Sequence, residues 1–279
     1  MKVTVLIENT TCRDELVCEH GLSLLIEAND KKILLDAGSS EAFYKNAMLM
    51  GVDLSDIDTC VLSHGHYDHS GGFTAIFENN GSVTVYVAKN ALLDYYSGSG
   101  TMHDISVPKD VRNQSDRFVC AEGFAEIYKG IYLVPHSTNG LESIGARTSL
   151  YKCVDGNILP DDFMHEQSLV YDTEKGLIIF NSCSHGGVMN IVNEVRAACN
   201  NKPVYAYIGG LHMKGKEAGQ EICIFSDNEI DELCKYISDM QIKYVYTGHC
   251  TGSVAMTKLT DRLGSECLKR LTTGLVFEL

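Results

Sequence analysis

Four short apolar runs in this chain each end in a glycine-flanked loop that carries histidine. Ile57 to Leu62 leads into S-H-G-H-Y-D-H-S-G-G, Leu177 to Phe180 into N-S-C-S-H-G-G, Pro203 to Ile208 into G-G-L-H, and Lys243 to Tyr246 into T-G-H-C-T-G. Runs this short and this rich in β-branched and aromatic residues read as strands. Open α/β folds gather their ligands at the ends of strands along one sheet edge. The pattern therefore predicts an α/β fold in which four strand ends deliver His64 to His69, His185, His212 and His249 to one place.

The first loop is the densest, with His64, His66, Asp68 and His69 inside six positions. Imidazole nitrogen and carboxylate oxygen suit zinc, iron, manganese or nickel, and a short loop can aim alternate side chains at one ion and the next pair at another. Clustered imidazoles without partners have no structural task, which favours metal binding over accident. Gly65, Gly71 and Gly72 are expected to supply backbone freedom where the ligands crowd.

Composition narrows the field. With 279 residues, 44% hydrophobic and 22% charged, the chain can build one large α/β core or two small domains. No linker, charge block or low-complexity tract divides it, so a single domain over residues 1–279 is expected. The apolar start Val3 to Ile7 is too short for a signal sequence, and no apolar run approaches a bilayer span. The expectation is a soluble cytoplasmic protein with no membrane partner. Eleven cysteines without a C-x-x-C pair point to reduced thiols in a reducing compartment. A formal net charge of −14 with no Lys/Arg cluster argues against nucleic acid. A small-molecule substrate, even an anionic one, stays compatible once metal ions are present. Oligomeric state is not legible from the sequence.

Along the chain, strands are expected at 2–8, 22–27, 31–35, 57–62, 83–87, 124–128, 131–134, 168–172, 177–180, 203–208, 243–247 and 275–277. Helical spacing appears from Phe43 to a stop at Gly51, with Ser39 or Ser40 as cap, and again from Phe73 to Phe77 and over 188–198, 227–240 and 253–263. The stretches 96–116 and 137–148 show no period, and the first is a candidate lid or substrate loop. Each half begins β-rich and ends in a strand, a glycine-flanked histidine loop and a helix. That faint repeat suggests two β-sheets face to face with helices outside.

The motifs L-L-D-A-G at Leu34 to Gly38, H-G-H-Y-D-H, S-C-S-H-G-G and G-H-C-T-G together strongly resemble the metallo-β-lactamase superfamily, over nearly the whole chain. With E-H-G-L-S at Glu19 to Ser23 and G-G-L-H added, the pattern more narrowly resembles the metal-dependent hydrolases grouped with dihydropterin ribofuranosylaminobenzene-phosphate synthase. The resemblance implies a four-layer αββα sandwich of two mixed β-sheets flanked by helices. It also implies two divalent metal ions, zinc first, with Fe, Mn or Ni as alternatives. His64, His66 and His185 would hold one ion and Asp68, His69 and His249 the other, while Asp36 would orient the ligand loop.

Two departures bear on that set. Many members carry a histidine just before the central hairpin and an aspartate just after it that bridges the metals. Here the segments are Asp161-Asp162-Phe163-Met164-His165-Glu166 and Cys183-Ser184-His185. Either His185 takes the role of the absent pre-hairpin histidine, or His165 does so while Cys183 or His185 occupies the bridging position. Loss of the bridging carboxylate also leaves room for a single strongly held ion.

The activity implied is hydrolysis, in which a metal-bound hydroxide attacks an ester, lactone, thioester or phosphoester of a small metabolite. Asp68 is the candidate ligand and water orienter, and His212 the candidate proton donor or oxyanion partner. His20 is a candidate substrate contact. His103 and His136 are expected at the surface, and Cys250 as a small buried hydrophobe. Two other readings remain open: a mononuclear or binuclear iron redox enzyme on the same fold, and a noncatalytic metal-containing ligand sensor. Flavin-linked di-iron members usually carry a carboxylate where this chain has His66, and no flavin domain is appended here.

Overall fold

In the computed structural model, which describes residues 1–279, the opening run Lys2–Ile7 is a strand buried on both faces beyond its first residue. Near-continuous apolar strands of this kind belong to sheets covered on both sides. It pairs antiparallel with Ser23–Ala28 and with the C-terminal strand Val276–Glu278. Ser23–Ala28 returns antiparallel as Lys31–Leu35 through Asn29 and Asp30, whose φ values of 54° and 57° make the two-residue turn that matches strand twist. From there the sheet continues in parallel through Thr59–Val61, Val85–Ala88 and Phe118–Ala121, giving seven strands.

This sheet lies in a compact unit of residues 1–122, 135–167 and 272–279. Helices Ala42–Leu49, Phe73–Asn79 and Lys109–Arg112 place Phe43, Ala47, Phe73, Ile76 and Val111 in one core with Leu34, Cys60 and Val85 of the sheet. A smaller four-stranded sheet in the same unit sets Asp94–Ser97 between His103–Asp104 and Leu150–Val154, with Asn157–Pro160 at its edge.

The second compact unit comprises residues 123–134 and 168–271. Its seven-stranded sheet runs Leu268–Arg270, Tyr244–Thr247, Val204–Ile208, Gly176–Phe180, Gln167–Thr173, Ile131–Pro135 and Ala125–Tyr128. The first three pairings are parallel, and the hairpin of Gln167–Thr173 with Gly176–Phe180 is antiparallel. Helices Val188–Ala198, Asp227–Asp239 and Ser253–Cys267 bury Ile191, Val195, Ile230, Leu233 and Leu259 against Ile179, Tyr207 and Val245. Two mixed sheets with their helices are the α/β class that the sequence predicts, and no helix is long and apolar enough to cross a membrane.

Several local expectations need correction. The stretch 96–116 is not structureless, since it contains part of Asp94–Ser97, then His103–Asp104 and the helix Lys109–Arg112. Strands of two to four residues leave no readable period. The stretch 137–148 contains the helix Glu142–Thr148. Gly145 inside it obscured the signal; a Cβ there would stand 2.3 Å from the Asp161 carbonyl oxygen, so the position is glycine for close packing. The hairpins Leu150–Val154/Asn157–Pro160 and Lys214–Glu217/Gln220–Cys223 were not anticipated. The last helix runs on to Cys267 across Gly264, which is non-helical at φ 74°.

Within each unit the parallel strands point their carboxyl ends the same way, and the loops that follow contain strained residues. Asp36, Ser184, His212 and His249 are all non-glycine residues at positive φ, between 47° and 59°. Such conformations concentrate at functional sites because the surroundings must over-determine them.

Candidate metal centre

In the first unit the loop after Thr59–Val61 is organised by a carboxylate from the neighbouring strand end. Asp36 is fully buried; its Oδ1 accepts the Ser63 amide at 2.7 Å, and its Oδ2 accepts both the Ser63 hydroxyl and His69 Nδ1–H at 2.7 Å. Because the Ser63 proton goes to Asp36, Ser63 Oγ accepts from His64 Nδ1–H at 2.8 Å. One carboxylate thus sets two imidazoles in the same tautomer, each presenting Nε2 away from it. Histidines oriented by a carboxylate on the far nitrogen suit a divalent cation, so these residues fit the metal that the sequence implies.

His64, His66, Asp68 and His69 stand together, with the His64 ring centroid 4.5 Å from that of His66 and 4.2 Å from that of His69. Burial, reinforced by His165 and opposed by Asp68 and Asp161, lowers the His66 pKa to about 3, so its imidazole is neutral. His69 goes the other way. Burial opposes its charge, but Asp68 and Asp36 outweigh burial and raise its pKa to about 10. Its Nε2 lies 3.4 Å from Asp68 Oδ2. His20 is half exposed and sets Nε2 3.3 Å from Asp68 Oδ2 and Nδ1 3.4 Å from Asn9 Nδ2.

The loop glycines serve a different purpose from the one expected. None of Gly65, Gly71 and Gly72 has positive φ. A Cβ on Gly71 would lie 2.1 Å from the Ser39 carbonyl oxygen, and one on Gly72 2.1 Å from that of Ala37. They permit close backbone approach rather than unusual dihedrals. His136 is buried, not at the surface, and its amide donates to the Glu166 carbonyl at 2.8 Å; His103 is exposed as expected. His66, Asp161 and His165 present candidate ligand atoms within 4.8 Å of one another.

In the second unit, Asn181 anchors the loop after Gly176–Phe180: its Oδ1 accepts the Ser184 amide at 2.8 Å while its Nδ2 donates to Ser168 Oγ at 3.1 Å. Ser184 Oγ donates to the Gly210 carbonyl at 2.6 Å, and Thr251 Oγ1 accepts the Leu211 amide at 2.9 Å. These bonds tie the loops bearing His185, His212 and His249 to one another. The His185 and His212 ring centroids are 4.2 Å apart, and His212 Nδ1 is buried without a hydrogen-bond partner. Cys250 is buried, as expected, but is not an inert hydrophobe. Its Sγ lies 3.4 Å from Cys183 Sγ and accepts the His212 amide at 3.3 Å. Burial pushes this thiol up, yet Cys183, His212 and His249 outweigh burial and carry it well below its ordinary value.

The profile of the metallo-β-lactamase superfamily matches residues 16–141. A 7,8-dihydropterin-6-methyl-4-(β-D-ribofuranosyl)-aminobenzene-5'-phosphate synthase of Methanocaldococcus jannaschii is 30% identical over 277 residues, covering 93% of this chain and 90% of that protein. The chain belongs to the metallo-β-lactamase superfamily. Among solved structures, Tm1679, a metal-dependent hydrolase of the beta-lactamase superfamily, is 27% identical with a TM-score of 0.81, over 100% of this chain and 99% of that one. Zn-bound PqqB from Methylobacterium extorquens shares the fold at 13% identity, with a TM-score of 0.61 and 100% of both chains covered. This metallo-β-lactamase superfamily member is therefore an enzyme.

Sequence reasoning missed Asp161 and the roles of Ser63 and of the Cys183–Cys250 contact. Ser63 was detectable in principle, since a hydroxyl directly before the first histidine can relay a distant carboxylate. Asp161 carried a local signal that was not used, since its side-chain partners, the Phe163 amide and His165, lie two and four residues on in the same segment.

Proposed function

We propose that this enzyme hydrolyses an ester, lactone, thioester or phosphoester of a small metabolite at two divalent cations, zinc first among them. His64, His66 and His185 would hold one cation and Asp68, His69 and His249 the other, following the superfamily motifs matched residue by residue. The observation that carries the reading is the triple acceptor role of Asp36, which holds His64 and His69 in one tautomer. A merely structural loop has no use for two imidazoles oriented alike.

Bound cations supply Lewis acidity and bring water's ionisation close to neutral pH. The remaining work falls to side chains. Asp68 accepts a hydrogen bond from the attacking water and orients it. His212, whose buried Nδ1 has no partner within the protein, protonates the leaving group. His20, half exposed beside Asp68, contacts substrate. No serine or cysteine nucleophile is required, because water attacks directly. A cytoplasmic setting accords with eleven cysteines of which none is joined in a disulfide.

The test is metal content by mass spectrometry on protein purified without a histidine tag, for wild type, His66→Ala and His185→Ala. Turnover is followed in parallel on an aryl phosphodiester, a lactone and a thioester. Two equivalents falling to one or none, with loss of turnover, is the expected result. An active, metal-replete His66→Ala protein overturns the reading.

A further inference from the structure

His66, Asp161 and His165 have the spacing of a metal-binding triad, with ligand atoms within 4.8 Å of one another. The hydrogen bonds around His165 argue otherwise. Its Nδ1 accepts the Gly65 amide at 2.9 Å, and since a backbone N–H only donates, Nδ1 must carry a lone pair. The ring proton is then on Nε2, which donates to Asp161 Oδ2 at 2.9 Å. Asp161 Oδ1 accepts the Phe163 amide at 2.9 Å. Both ring nitrogens and both carboxylate oxygens are therefore committed.

We propose that Asp161 and His165 form a fixed-tautomer strut that grips the Gly65 amide and thereby sets the H-G-H turn, making His165 a positioning residue and not a metal ligand. The inference rests on the hydrolase reading of the same loop. Its surroundings are built for rigidity. The His165 ring lies 4.0 Å, centroid to centroid, from that of Tyr95, whose hydroxyl donates to the Asn90 carbonyl at 2.8 Å. The Asp161 amide donates to the Leu150 carbonyl at 3.0 Å. A Cβ on Gly65 would stand 2.3 Å from the Ala91 carbonyl oxygen and 2.9 Å from the Tyr95 ring, so the peptide between His64 and His66 is pressed against its support. Asp36 holds the start of the loop through the Ser63 amide; His165 holds it two residues on. A cation at His165 would have to take a nitrogen from the Gly65 amide or from Asp161, leaving a buried polar group unpaired.

Three substitutions separate the contacts. In His165→Asn the amide oxygen falls where Nδ1 was and keeps the Gly65 bond. In His165→Gln the longer chain reaches Asp161 but loses that acceptor, and His165→Ala loses both. Two readouts are needed. In metal-free protein, nitrogen NMR reports the His165 tautomer and hydrogen exchange reports the Gly65 amide. In cobalt-loaded protein, affinity and the visible absorption spectrum report ligand geometry. The expectation is an Nε2–H tautomer in wild type and Gly65 protection kept in His165→Asn but lost in the other two. Cobalt affinity should be near wild type in His165→Asn and about 10–100-fold weaker in His165→Gln and His165→Ala, as for other residues that orient metal ligands.

An Nδ1–H tautomer in wild type overturns the strut, as does loss of the same cobalt equivalent in all three variants, which would make His165 a ligand. Wild-type affinity in all three also overturns it. Wild-type protein that takes up no cobalt sinks the hydrolase reading instead, and the tautomer and Gly65 protection then decide the strut without it.

Discussion

Asp36 Oδ2 accepts the Nδ1–H of His69 at 2.7 Å, with both side chains fully buried. Asparagine tolerates the left-handed backbone that Asp36 adopts at φ 59°, so Asp36→Asn changes the acceptor and not the chain path. Its amide can offer one oxygen to the three donors that Asp36 now satisfies. We expect metal affinity to fall about 10–100-fold, and stability to fall by about 1–3 kcal/mol from the unpaired groups. Competition with a chromogenic chelator and denaturant melts measure the two; an unchanged affinity would refute the orienting role.

Metal-free protein should lose stability in acid partly through Asp161. Burial opposes its charge, but His165 and the Phe163 amide prevail and hold its carboxyl below the usual range. A folded-state pKa below the unfolded value of about 3.9 contributes stability that is complete above that value and disappears as pH falls through the folded one. Urea melts of wild type and Asp161→Asn from pH 6 to pH 3 should converge toward the acid end. Parallel profiles would show that Asp161 is not depressed.

Gly72→Ala should be costly although the residue is not at positive φ. The added Cβ would meet the Ala37 carbonyl oxygen at 2.1 Å and the Phe43 ring at 2.5 Å. Backbone on one side and a fully buried ring on the other leave little room to relax, so a loss of about 1–3 kcal/mol or more is expected. A thermal melt within about 1 °C of wild type would contradict the packing.

Stripping metal with a strong chelator should lower the melting temperature, and added zinc should restore it. A ligand that binds only the folded state at about 100–1,000 times its Kd stabilises by about 3–4 kcal/mol. Melts that do not respond to chelator or zinc would count against a resident cation.

A control outside the histidine-bearing loops is the capping box of helix Asp227–Asp239. Ser226 Oγ accepts the Glu229 amide at 3.3 Å, and Glu229 Oε2 accepts the Ser226 amide at 2.8 Å. Ser226→Ala should cost about 1 kcal/mol and leave metal content unchanged. A drop in metal content would mean that the helix is coupled to the loops.

Much of the fold was legible because its signals are local. Helix Val188–Ala198 coincides with its expected span, and in the hairpin Gln167–Thr173 extends one residue past the expected strand at each end while Gly176–Phe180 starts one residue earlier and ends as expected. Apolar spacing alone carries such elements. Short, exposed strands such as His103–Asp104 and the glycine-containing helix Glu142–Thr148 were not legible, because pairing with distant segments and not period holds them.

The sequence by itself determined which chemistries the chain can present: strand, glycine-flanked loop and helix in recurring order, with imidazole and carboxylate at the strand ends. Ligand type and loop position are written in consecutive residues. Only the tertiary structure decided how those groups are held. The tautomers of His64 and His69 depend on Asp36, which reaches them from another strand end. The commitment of His165 depends on an amide 100 residues earlier in the chain. A tautomer is set by whatever donor or acceptor stands opposite the ring in space, and no local pattern specifies that.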